Sequence, residues 1–96
     1  MPTVVYSGPA TADLDRLFNF VAERDPFSAR RAIESIVDAV RLLERHPLIG
    51  RPLRGDKREL VISHGRGGYV AIYRFVAAQA RVDILRIRHQ REAGFE

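Results

Sequence analysis

Tyr69-Val70-Ala71-Ile72-Tyr73-Arg74-Phe75-Val76, then Ala77-Ala78-Gln79-Ala80, then Arg81-Val82-Asp83-Ile84-Leu85-Arg86-Ile87-Arg88-His89 decide the fold. Two runs rich in β-branched and aromatic residues, joined by four small or polar ones, read as neighbouring antiparallel strands. Arg58 to His64 precedes them as a further strand, across the turn Gly65-Arg66-Gly67-Gly68. Those glycines fit the positive φ values of a hairpin turn. They make no phosphate loop, because no strand–loop–helix context surrounds them. Three strands with short links predict an antiparallel meander. Tyr69 and Tyr73 share a face with Ala71 and Phe75, which predicts core packing. The last strand is irregular: Val82 and Ile84 share one parity with Arg86 and Arg88, while Leu85 and Ile87 take the other. Either a bulge swaps the faces, or Arg86 points into a partly covered groove. A guanidinium buried there needs an anion or several acceptors.

Upstream the period is 3.6. Leu14, Leu17, Phe18 and Val21 form an apolar stripe, with Asp13, Asp15, Arg16 and Glu23 off it. Ser7-Gly8-Pro9 is a helix start, giving a first helix over about 9–24. Asp25-Pro26 repeats the signal. Ala29, Ala32, Ile33, Ile36, Val37, Val40 and Leu43 then mark a second helix that stops near His46-Pro47. The two make a helical hairpin. Pro47 to Asp56 reads as a loop. Thr3 to Ser7 reads as an N-terminal strand, which must join the sheet because a lone strand leaves its backbone unpaired. The expectation is a single α+β domain over 1–96: N-terminal strand, helical hairpin, and a three-stranded antiparallel meander forming one four-stranded sheet with the first strand.

Composition narrows the function classes. The 96 residues include no cysteine, which excludes disulfides and thiolate metal sites. Three scattered histidines predict no metal site, and no cofactor is expected. Met1 to Tyr6 lacks the features of a signal peptide, and no apolar run nears the ~20 residues of a membrane span. A cytoplasmic protein with no membrane partner is expected. Net charge is +4, with Lys57 the only lysine. Six Arg face seven Asp/Glu through residue 48; ten Arg/Lys face five Asp/Glu after it. The excess of guanidinium in the second half suits carboxylate or phosphate partners.

Four stretches carry a family resemblance. They are Ser7 to Leu14, Leu42-Leu43-Glu44-Arg45-His46-Pro47-Leu48-Ile49-Gly50-Arg51-Pro52, Gly68 to Arg74, and Ile84 to Arg91. In this order, with these elements, the chain resembles the RelE/ParE superfamily, the toxins of bacterial type II toxin–antitoxin systems. The resemblance implies a cognate antitoxin as partner and one of two targets. ParE-like members inhibit DNA gyrase without being nucleases; RelE-like members cut mRNA in the ribosome. RelE-like proteins resemble one another in placing basic residues on the sheet and often a tyrosine or histidine near the C-terminus. Here Val70 stands where such chains tend to have arginine, the strand Arg58–His64 has no lysine, and the tail offers Phe95. The ending His89-Gln90-Arg91 looks ParE-like.

The leading expectation is therefore a ParE-like gyrase inhibitor with no catalytic residues. Arg58, Arg74, Arg86, Arg88, His89 and Arg91 would contact the target or the antitoxin. The alternative is a ribosome-dependent endoribonuclease using Arg74, Arg86, His89 and Arg91 on phosphate and proton transfer. A third reading is a toxin-like fold kept as a binding module. Against each role stands a plain surface arginine, or a strand-end histidine bonded locally. His64, beside the glycine turn, is expected to be exposed.

Overall fold

The computed structural model describes residues 1–65 and 67–92. Arg66 in the glycine turn and Phe95 in the tail, both used in reading the sequence, lie outside them. β1 (Thr3–Tyr6) leads into α1 (Gly8–Ala22) and α2 (Pro26–Arg41). β2 (Arg51–Pro52), β3 (Lys57–His64), β4 (Gly67–Val76) and β5 (Arg81–His89) follow.

Both helix starts are capped as their residues require. The Ser7 hydroxyl accepts from Ala10 N–H at 3.1 Å, and the Asp25 carboxylate from Phe27 N–H at 3.0 Å. Pro9 and Pro26 sit in the first turns, where a missing N–H costs nothing. The second helix ends earlier than expected, at Arg41. A 3₁₀ turn over Leu42–Glu44 carries the chain to His46, so the approach to Pro47 is made by tightening the last turn.

The described residues form a five-stranded sheet in the order β1-β5-β4-β3-β2. β1 lies parallel to β5, with Thr3 opposite Arg81 and Tyr6 opposite Ile84. β3, β4 and β5 form the antiparallel meander. Three details correct the sequence reading. β3 begins at Lys57, so this strand does carry a lysine. The loop after the helices contains β2, which pairs Arg51 with Glu59 and Pro52 with Arg58. Gly67 and Gly68 belong to β4, paired with His64 and Ser63; Gly65 alone of the three has positive φ, +59°. The irregularity in the last strand is a bulge. Ile72 faces Arg86 while Tyr73 faces Ile84, so Leu85 is the extra residue and the faces swap after it.

Both helices cover one face of the sheet. Leu17, Ala32, Ile36, Val40 and Leu43 pack on Ile62, Tyr69, Ala71, Tyr73, Val82, Ile84 and Ile87. Tyr73 is fully buried, and its hydroxyl accepts from Gly50 N–H at 2.8 Å. This bond ties the loop after α2 to the central strand. A Cβ at Gly50 would stand 2.6 Å from the Tyr73 ring and hydroxyl and 2.8 Å from the Glu59 carbonyl oxygen. None of these can retreat cheaply, since one is a packed ring and one is backbone.

Two substitutions test this packing in opposite directions. Gly50→Ala should lower stability by about 1–3 kcal/mol through overpacking. Ala80, with φ +46°, ends the 3₁₀ turn Ala77–Gln79 in the left-handed region. Ala80→Gly should raise stability by about 0.5–1 kcal/mol by relieving that conformation. Urea unfolding midpoints of the two variants check both signs.

Candidate functional site

β5 is longer than β1. Past Ile84 no strand formed by the described residues lies beside its outer edge, and α1 takes the place of one. Ser7 N–H donates to the Ile84 carbonyl at 3.0 Å, and the Ser7 hydroxyl donates to the Leu85 carbonyl at 3.0 Å. In a regular strand consecutive carbonyls point opposite ways. The bulge places these two within reach of one serine. One turn further, the Asp13 carboxylate accepts from Ile87 N–H at 2.8 Å. The same carboxylate takes both arms of Arg86, at 2.9 and 3.1 Å, while Arg16 stands 3.6 Å away. Asp13 is only 3% exposed. Burial pushes its carboxyl up, but the bonds from Arg86 and Ile87 and the charges of Arg86 and Arg16 outweigh that and hold it below the ordinary value.

The six arginine and histidine residues singled out by sequence do not converge. Arg58 Nη1 donates to the carbonyls of Leu48 and Gly50, at 3.2 and 2.9 Å, and so pins the loop. Arg74 lies on the face away from the helices and pairs with Asp56 at 3.7 Å. Arg86 closes on Asp13. Arg88 lies opposite Val70 on the Arg74 face, and its Nη1 donates to the carbonyls of His89, Gln90 and Glu92. His89 is on the helix side, edge-on to Tyr69 with ring centroids 5.5 Å apart. Its Nδ1 accepts from the N–H of Arg91 at 3.1 Å, which leaves the ring proton on Nε2. Arg91 itself is exposed beyond the strand.

With this geometry in view, the likenesses to known proteins are specific. Residues 4–94 match the family model described as ParE toxin of type II toxin-antitoxin system, parDE. The chain belongs to the ParE toxin family, within the RelE/ParE superfamily of type II toxins. Two relatives from Caulobacter vibrioides are similar along nearly their whole length. Toxin RelE3 is 39% identical over 96% of this chain and 98% of its own, and Toxin RelE1 is 34% identical over 91% of each. Among solved structures, the chromosomal ParDE system from P. aeruginosa superposes with a TM-score of 0.75 at 29% identity, over 93% of this chain and 96% of that one. The RelBE2 toxin–antitoxin complex of Mycobacterium tuberculosis gives 0.64 at 30% identity, over 94% and 100%.

Within this RelE/ParE fold, three residues escaped the sequence reading. Asp13 lies off the apolar stripe that the sequence of α1 predicts, yet it is buried with Ala10 and Leu17, three and four positions away. The signal was present: an arginine at the face change of β5 demands an anion, and α1 carries one on the buried side. Glu92 accepts from His89 N–H at 2.7 Å and pairs with Arg16, which draws the end of β5 onto α1. His64 is half-buried rather than exposed, because Ser35 Oγ on α2 lies 2.9 Å from its Nδ1. No group of three or more metal-ligating side chains occurs among the described residues, and no described helix is long and apolar enough to cross a membrane.

Asp13 generates two expectations. Asp13→Ala leaves Ile87 N–H buried without an acceptor and Arg86 without its anion. It should cost about 2–4 kcal/mol, less than a fully buried pair because Arg86 is partly solvated. Asp13, Asp25 and Asp83 all have carboxyls held below their ordinary value of 3.8 in the fold. The stability they contribute is therefore complete above about pH 4 and is lost as pH falls through the lower folded values. Thermal melts between neutral pH and pH 2 should show that loss, with a smaller slope in Asp13→Ala.

Proposed function

We propose that this chain is a gyrase-inhibiting toxin, kept silent by a cognate antitoxin. One observation carries the reading. An endoribonuclease must gather an acid, a base and a cation around one phosphate. Arg74, Arg86, His89 and Arg91 are dispersed instead. Arg86 is closed on a buried carboxylate, His89 faces the helices with its Nδ1 taken, and Arg74 is on the opposite face. A toxin that acts by contact needs no such convergence. The ParE family match supports the same branch. Arg74, on the face away from the helices, and Arg91, exposed beyond the last strand, are the arginines best placed for a target's acidic groups. Antitoxin binding is supported by the solved relatives, which are toxin–antitoxin assemblies. An antitoxin segment that folds as it binds would cover the apolar side chains left exposed along the hairpin and loop, among them Phe20, Leu42 and Leu48.

The test is direct. Purified free chain should inhibit DNA supercoiling by gyrase, and antitoxin should restore it. Cells expressing the chain should stop dividing while their mRNA stays intact. Cleavage of translated mRNA at codon intervals, with supercoiling untouched, would overturn the proposal in favour of the ribosome-dependent nuclease.

A further inference from the structure

Ser28, Arg31 and Ser35 recur at i, i+3 and i+7 on α2 and share one face of it. With His64 and Gly65 they line an open cleft of about 290 Å³, where α2 meets the end of β3. None of these side chains belongs to the hydrophobic core.

The cleft is rich in donors. Ser35 Oγ bonds His64 Nδ1; when the hydroxyl donates, the ring proton sits on Nε2 and remains available to a ligand. Arg31 is exposed and makes no ion pair or hydrogen bond among the described residues. Arg51, Arg81 and Arg86, by contrast, are each engaged by a carboxylate. Among the described residues no acidic one lines the cleft. Asp25, the acid bonded to this wall, is already committed. It accepts from Phe27 N–H and, at 2.6 Å, from the Ser28 hydroxyl. Ser28 is therefore a wall of the cleft and not a donor in it. One turn before Arg31 stands Phe27, 67% exposed, a ring face with nothing packed on it from the core.

We propose that this cleft binds a phosphate group, as the free anion or as a phosphomonoester. The Arg31 guanidinium supplies a planar fork matched to phosphate oxygens, and His64 Nε2–H supplies a second donor. Ser35 fixes the imidazole so that this donor faces the ligand. Phosphate itself and a nucleoside monophosphate share this chemistry. They differ at Phe27, on which only the second can stack a base. The proposal is independent of the gyrase reading, since it uses the helix side of the hairpin turn and none of the residues placed on the opposite face.

Titration of the full chain with inorganic phosphate, at fixed pH and ionic strength, tests it through the ring NMR signals of His46, His64 and His89. The His64 signals should shift and saturate, while those of His46 and His89 stay put. Arg31→Ala should weaken binding about tenfold or more, the worth of one charge-assisted pair. Arg30→Ala, which removes the same charge one position round the helix, should leave it unchanged. A second titration with adenosine monophosphate distinguishes the sources. Tighter binding that is lost in Phe27→Ala assigns the cleft to nucleotides; equal binding assigns it to phosphate alone. A shift that never saturates, one shared by all three histidines, or equal weakening by Arg30→Ala and Arg31→Ala would overturn the site.

Discussion

A buried carboxylate must find donors or stay protonated, and Asp13 finds its hydrogen-bond donors Arg86 and Ile87 on one strand. It takes the backbone N–H that β5 would otherwise present to a missing neighbour, and the arginine that the bulge turns toward the sheet edge. α1 therefore substitutes for a strand through a side chain. The exchange resolves two costs together: an unpaired amide at a sheet edge, and a guanidinium beside an apolar core. Much of the remaining geometry follows from it. The bulge at Leu85 is stabilised because both carbonyls it exposes are occupied by Ser7. The tail is drawn in by Glu92 and Arg16 because α1 is already fixed there.

The arrangement separates support from contact. Arg58, Arg86 and Arg88 hold loop, helix and tail through carbonyls and a carboxylate, so much of the basic charge of the second half is spent inside the molecule. Net positive charge alone was thus a poor guide to which arginines are available. Partners matter more than counts. An arginine with a buried acid is structure, and one without a partner on an open face or cleft is open to a ligand.

The elements were readable because each rests on local chemistry. Capping residues, prolines and the 3.6 and 2.0 periodicities report directly on backbone conformation. The bulge was one of two readings the sequence left open, since Val82 and Ile84 cannot share the core face with Ile87 in an unbroken strand. What escaped depended on pairing across the chain. Asp13 looks like a surface acid until Arg86, 73 positions later, is placed beside it. His64 looks exposed until Ser35 is known to face it. β2 escaped because two residues, one a proline, carry no alternation to detect. The convergence or dispersal of the arginines is a property of register, and no single stretch encodes register.

Ser7 joins the start of the first helix to the last strand across 78 positions, and among the described residues the first strand has only the last strand as its neighbour. The earliest and latest parts of the polypeptide are thus stitched into one seam. During synthesis, β1 and the start of α1 have no sheet to settle on until β5 has emerged. Long-range closure of this kind slows folding, because loop entropy is paid before the contacts reward it. A nascent or truncated chain lacking β5 is left with an incomplete sheet and an unanswered carboxylate, so the domain closes only once its last strand is in place.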